Sequence, residues 1–164
     1  MKVIANTYPA KGNFSLLGAA LHTGGSYYSS VVQGKDWLSN EIATIGARCP
    51  SAKMILTGYS QGAQVTADVY QNGSTSHVLA VVLFGDPYFN SRDSRVDRGN
   101  FRVGPKGGLG SRPKFNGGHV LSYCHANDPV CQFGSNPIAL FTNHSNYDKL
   151  NEPAQAAQAV ASWG

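Results

Sequence analysis

The chain has 164 residues and a mass of 17.4 kDa, the size of one domain. Hydrophobic residues make up 41% and charged residues only 13%, about half the usual charged share, which excludes a disordered or coiled-coil chain. The formal charge is +4, yet seven of the 13 basic residues (Arg92, Arg95, Arg98, Arg102, Lys106, Arg112 and Lys114) crowd one Gly- and Pro-rich stretch. No aromatic stacking platform or zinc-ligand spacing accompanies them, so nucleic acid is not the expected partner. The stretch reads as a solvated loop, with an anionic surface such as a cell-wall polymer or lipid headgroups as the rival reading.

No apolar run approaches the ~18 residues of a membrane span. Residues 3–6 (VIAN) read as a short buried strand ended by Tyr8-Pro9, and 10–25 as turns. From Ser26 to Arg48, Val31, Leu38, Ile42 and Ile45 recur at helical spacing, with Gly34 as a weak point and Pro50 just past the end. Residues 52–58 form a second apolar run. Gln61 to Gln71 reads as a helix stopped by Asn72-Gly73. Val78 to Phe84 is continuously apolar, as a strand covered on both faces should be. The stretch 88–117 reads as a long irregular loop, Val120 to Tyr123 as a strand, and Pro153 to Trp163 as a terminal helix. Strands alternating with helices imply an α/β fold with a mainly parallel sheet.

The cysteines are Cys49, Cys124 and Cys131. A Cys124–Cys131 bridge would close an eight-residue loop and stabilise by about 2.5 kcal/mol in the loop-entropy model. The alternatives are two reduced buried thiols or half a zinc site, and zinc patterns need four ligands at tighter spacing. Met1 to Ala5 is too short an apolar start to serve as a signal peptide.

Gly58-Tyr59-Ser60-Gln61-Gly62 fits G-x-S-x-G. The pattern alone is weak, but here it sits between a strand and a helix, as a nucleophile elbow requires. The turn is so tight that the residues two before and two after the serine should lack bulk, which both glycines satisfy. The hydroxyl then stands at the sheet's C-terminal edge and at a helix N-terminus, where free N–H groups favour negative charge.

A serine hydroxyl needs a base, and the base needs an orienting acid, in chain order Ser, acid, His for this architecture. Of the histidines after Ser60, His77 and His119 begin strands at the opposite edge. His125 precedes the plausible acids other than Asp68, Asp86, Asp93 and Asp97. His144, in a loop before the last helix, can fold back over the sheet edge. Asp128 lies just past a strand end. Asp86 is its rival, with Pro87 and the adjacent long loop suggesting a structural turn.

Cys49-Pro50, Gly58-Tyr-Ser-Gln-Gly-Ala63, Leu83-Phe-Gly-Asp-Pro87, Cys124-x-x-x-Asp128-x-x-Cys131 and His144-x-x-Tyr147 together resemble the cutinase family, which includes acetylxylan esterases and related lipid esterases. The resemblance spans about Val3 to Trp163. It implies an α/β-hydrolase-like three-layer fold in one domain, 1–164, and a secreted, monomeric serine esterase without metal or cofactor. By that likeness Ser60 is the nucleophile, His144 the base, Asp128 the orienting acid, and the Gln61 backbone N–H an oxyanion donor. Cys124–Cys131 is then the family disulfide. The substrates implied are cutin-like, lipid or short-chain acyl esters, with acetylated xylan as the alternative.

Family members carry an earlier strand, a cysteine that pairs with the equivalent of Cys49, and a Ser/Thr that supplies a second oxyanion donor. This sequence starts after all three, so an N-terminally truncated domain is expected. Strand 3–6 would then pair directly with strand 52–58, and no second oxyanion donor is evident, with Asn6 or Thr7 as the minor alternative for a substitute. Phe133, Ile138, Leu140 and Phe141 are candidates for an apolar rim, with ordinary loop anchoring as the plainer role. The competing reading from another class is a weakly active or non-catalytic, surface-binding remnant that keeps the triad but lacks the second donor.

Overall fold

The computed structural model describes residues 2–11, 25–73, 75–93, 97–99, 107–132 and 143–164. The proposed rim of Phe133, Ile138, Leu140 and Phe141 lies outside the described residues, as do Arg95, Arg102 and Lys106 of the basic stretch.

Helix α1 (Ser26–Arg48) leads to β1 (Met54–Tyr59), α2 (Gln61–Asn72), β2 (Val78–Phe84), β3 (Asp97–Gly99), β4 (His119–Cys124) and α3 (Glu152–Ala161). The four strands form one parallel sheet in the order β1-β2-β4-β3. Alternation along the strands divides the apolar side chains between two layers. Val81 and Leu83 of β2 and Val120 of β4 pack with Leu56, Ile42 of α1, and Ala63, Ala67 and Val69 of α2. Ala80 and Val82 of β2, with Leu121 and Tyr123 of β4, point the other way, onto Tyr147 and onto Ala156 and Val160 of α3. Helices therefore cover both faces of the two middle strands, which is why β2 could be an uninterrupted apolar run.

Four sequence expectations need correction. Residues 3–6 form no strand, and Val3 and Ile4 are 81% and 42% exposed. Among the described residues the segment does not add to the open edge of β1. It is tied instead to α1, through the Asn6 amide donating to the Gly34 carbonyl and the Lys11 N–H donating to the Ser30 hydroxyl. β1 consequently ends the sheet, with Ile55 and Tyr59 exposed. Second, Gly34 does not weaken α1: the helix runs through it, and its bare Cα lets Val65 of α2 and the Tyr8 ring pack close. Third, the long loop contains β3, whose three residues are too few to leave a periodic signal. Fourth, Arg112 is no solvated loop charge. It is 5% exposed, and its guanidinium forms a fork on Asp86, Nε to Oδ2 at 2.6 Å and Nη2 to Oδ1 at 2.8 Å.

Candidate active site

β1 delivers Ser60 and α2 carries the chain away from it. Ser60 has φ 56° and ψ −123°, a conformation that costs an ordinary residue roughly 1–3 kcal/mol and that here turns a strand into a helix in a single residue. The Ser60 N–H is spent on the Phe84 carbonyl at the end of β2, while its carbonyl accepts from the N–H groups of Ala63 and Gln64. The Gln61 N–H, at the first position of α2, has no partner within the helix. A Cβ on Gly58 would lie 2.2 Å from the Gly62 carbonyl oxygen, so that position must be glycine. The matching expectation for Gly62 is not met, because a Cβ there would meet nothing within 4 Å. The tight approach is made by the backbone of residue 62.

The Gln61 side chain, 5% exposed, holds the elbow from behind. It accepts from the Ser30 hydroxyl at 2.9 Å and the Lys11 N–H at 3.3 Å, and donates to the Lys11 carbonyl at 3.1 Å. Asn6 is engaged away from this elbow, its amide on Gly34 and its Oδ1 receiving the Tyr8 N–H, while Thr7 is exposed.

At the ends of β2 and β4 the sheet edge gathers His144 and Asp128. His144 Nδ1 lies 2.9 Å from Asp128 Oδ2. A carboxylate only accepts, so the contact is a hydrogen bond with Nδ1 as donor, the tautomer in which a neutral ring keeps its lone pair on Nε2. Asp128 is fully buried, and its Oδ1 accepts from the Val130 N–H at 2.8 Å. Gly85 (φ 61°) is the residue that brings these groups together. A Cβ on it would lie 2.8 Å from His144 Cε1 and 3.2 Å from Asp128 Oδ2. Its own N–H bonds the Tyr123 carbonyl, and the carbonyl just before it, on Phe84, bonds Ser60. Only a residue without a side chain lets the imidazole settle over this strand end. Tyr59, next to Ser60, stacks on His144 with centroids 4.8 Å apart, and its hydroxyl donates to the His144 carbonyl at 2.9 Å. Burial and the nearby Asp128 charge push the Tyr59 phenol up to about 12, so it remains a donor across neutral pH.

Cys124 and Cys131 are bridged and fully buried, closing the loop that carries Asp128, while Cys49 is free and exposed. Asp86, the rival acid, is also fully buried but is committed to Arg112 and to the Tyr88 N–H. Tyr147 was quoted in the sequence only as part of a pattern. Its hydroxyl donates to Asp128 Oδ2 at 2.6 Å, and burial followed by the Asp128 charge holds its phenol well above the ordinary range. Gly85 and Tyr59 stand in the sequence motifs without a role of their own, His125 was weighed there only as a base, and Glu152 had no sequence signal. Each sits at this edge through tertiary packing.

The Cutinase family model matches residues 2–162. The chain is 32% identical over 155 residues to acetylxylan esterase 2 of Talaromyces purpureogenus, covering 80% of this chain and 62% of that protein. It is 37% identical over 101 residues to a cutinase of Coprinopsis cinerea, covering 60% of this chain and 41% of that protein. The chain thus spans about half the length of these relatives. The solved catalytic core domain of acetyl xylan esterase from Trichoderma reesei superposes with a TM-score of 0.75 at 28% identity, covering 98% of this chain and 82% of that one. The family match over nearly the whole chain, the sequence identity and the shared α/β architecture place the chain in the cutinase family.

Proposed function

We propose that this chain is a serine esterase that hydrolyses carboxylic esters through an acyl-enzyme. The observation that carries the reading is the juxtaposition at Gly85. The strained Ser60 turn and the buried His144–Asp128 pair share one strand end, with the imidazole's Nδ1 occupied by the acid. In this reading the Ser60 hydroxyl attacks the ester carbonyl while His144 Nε2 takes its proton. The Gln61 N–H donates to the developing oxyanion at the positive end of α2. The protonated imidazole then gives its proton to the departing alkoxide, and Asp128 stabilises the imidazolium through Nδ1–H. A water, activated by the same nitrogen, attacks the acyl-serine and releases the acid.

Within this reading, cutin-like, lipid or short-chain acyl esters are the primary substrate class. Acetylated xylan is the alternative, supported by the acetylxylan esterases among the relatives. The Cys124–Cys131 disulfide supports an extracellular setting. Turnover of a p-nitrophenyl ester tests the reading, with Ser60→Ala as control. Hydrolysis by the parent that vanishes in the variant supports it, and equal rates in both overturn it.

A further inference from the structure

His125 follows β4 directly and is 5% exposed. Each of its ring nitrogens faces an oxygen that can only accept as a carboxylate or carbonyl. Nε2 lies 2.7 Å from Glu152 Oε2, and Nδ1 lies 3.0 Å from the Asn143 carbonyl oxygen. A neutral imidazole has a single N–H, so both contacts are satisfied only when the pair holds one proton more than a neutral ring and a carboxylate. Burial lowers the His125 value, but the hydrogen bonds to Glu152, the first residue of α3, and to Asn143, with the charges of Glu152 and Asp128, outweigh it and raise His125, so that proton belongs on the ring. The ionisable groups around His125 are Glu152 from α3, Asp128 from the loop after β4, and Tyr147 from the segment before α3, whose ring in turn meets His144 edge-on. Glu152 and Asp128 contribute negative charge and favour the imidazolium, and Tyr147 is held neutral by its raised phenol.

Neither His125 nor Glu152 is used in the chemistry above. We propose that the His125–Glu152 pair is a positioning clamp for the His144 segment, and that losing its one extra proton on the alkaline side disassembles the His144–Asp128 geometry. The catalytic consequence rests on the esterase reading; the proton and the geometry do not.

The clamp reaches both sides of His144. The carbonyl it holds belongs to Asn143, whose side-chain amide in turn donates to the Ala126 carbonyl at 2.9 Å. Its ring lies flat against Tyr147, centroids 3.9 Å apart, and Tyr147 donates to Asp128. Its own carbonyl accepts the Asp128 N–H at 3.1 Å. One buried residue therefore touches the residue before the candidate base and the residue three after it with its ring, and the turn that carries the acid with its backbone carbonyl. When the proton leaves for solvent, the remaining N–H satisfies one oxygen only. The other nitrogen then points a lone pair at an oxygen about 3 Å away, which is repulsive. The strain is relieved by letting α3 or the Asn143 carbonyl move off, and either movement shifts the His144 backbone relative to Asp128.

Ring ¹⁵N spectra of the whole chain across neutral and alkaline pH test the proton directly, with His125 assigned by its loss in His125→Asn. Two protonated ring nitrogens at neutral pH are expected, with one lost on raising the pH together with the hydrogen-bonded Nδ1 proton of His144. A singly protonated His125 at neutral pH overturns the clamp. The kinetic arm uses Glu152→Gln, whose amide N–H can donate to an unprotonated Nε2 and so satisfy a neutral ring on both sides. It should keep kcat on the p-nitrophenyl ester within about threefold at neutral pH and abolish the alkaline fall in kcat, with KM unchanged. Glu152→Ala, which offers no partner, should lower kcat at every pH. The same alkaline limb in the parent and in Glu152→Gln overturns the clamp while leaving the esterase reading intact. A chain that hydrolyses no ester, yet shows the doubly protonated ring and the joint loss of the His144 proton, supports the clamp and overturns the esterase reading.

Discussion

Tyr147 donates its hydroxyl, at 2.6 Å, to the same Asp128 oxygen that faces His144 Nδ1 at 2.9 Å. Two donors on Oδ2 and the Val130 N–H on Oδ1 fix the rotation of a carboxylate that has no access to water. Hydrogen bonds to a charged group contribute about 1.5–3 kcal/mol. Tyr147→Phe keeps the ring stacked on His125 but removes this donor, together with the weaker 3.4 Å bond that the hydroxyl accepts from the His125 N–H. Its denaturant unfolding should lose about that much stability, and kcat should fall about tenfold as the carboxylate gains freedom to turn.

Ser60→Ala should remove ester hydrolysis and leave the fold in place, and a fluorophosphonate should label Ser60 alone in the parent. Ser60→Gly separates chemistry from strain. Glycine adopts φ 56° freely, so this inactive variant should melt higher than Ser60→Ala, by an amount near 1 kcal/mol. Labelling of a different serine would remove Ser60 from the mechanism.

The two buried aspartates should fail differently. Asp128→Asn presents an amide to His144 Nδ1 and should cut kcat by several orders of magnitude, as loss of the orienting acid does in serine hydrolases, with modest loss of stability. Asp86→Asn removes the charge opposite a buried guanidinium that retains Asp68 and Gln71. That should cost about 3 kcal/mol in unfolding free energy while the folded fraction keeps its turnover. A larger loss of kcat in Asp86→Asn than in Asp128→Asn would exchange their roles.

His125 gives the stability a sign with pH. Burial alone lowers its value, but the hydrogen bonds to Glu152 and Asn143 and the charges of Glu152 and Asp128 outweigh that and raise it above 6.5. A histidine raised in the folded state stabilises fully below its unfolded value and loses that contribution as pH rises through the folded one. Melting temperature should therefore decline from about pH 6.5 upward, and Glu152→Gln should flatten the decline. A melting temperature that rises across this window would contradict the contribution assigned to this pair.

Thiol titration of the unfolded, unreduced chain should find one reactive cysteine, Cys49. Reducing the Cys124–Cys131 bridge should lower stability by about 2.5 kcal/mol and lower kcat as well, since the loop it closes carries Asp128. Three thiols would mean that the loop is not stapled.

Much of this molecule was readable along the chain because its signals are local. An apolar run such as Val78–Phe84 declares a strand covered on both faces, and a helical apolar stripe ended by Pro50 declares α1. Gly58-x-Ser60 declares an elbow because the steric conflict it avoids lies within five residues. Chain order and strand ends pointed to His144 as base and to Asp128 as acid with Asp86 as its rival, and the family resemblance favoured Asp128. Residues 3–6 misled because three apolar residues are too few to carry a periodic signal, and the hydrogen bonds that tie the segment down go to α1 rather than to the open edge of β1.

The sequence by itself determined the alternation of strands and helices, the position of the elbow and the residue types on which the chemistry would rest, since each follows from nearest-neighbour sterics and periodicity. Only the tertiary structure decided that Asp86 belongs to Arg112 and Asp128 to His144, that Gly85 must be bare to admit an imidazole, and that His125 faces two acceptors across 18 and 27 residues of chain. The physical reason is that hydrogen-bond partners of a buried charge are selected by proximity in space, and a parallel sheet brings to one edge the ends of strands that lie far apart in sequence.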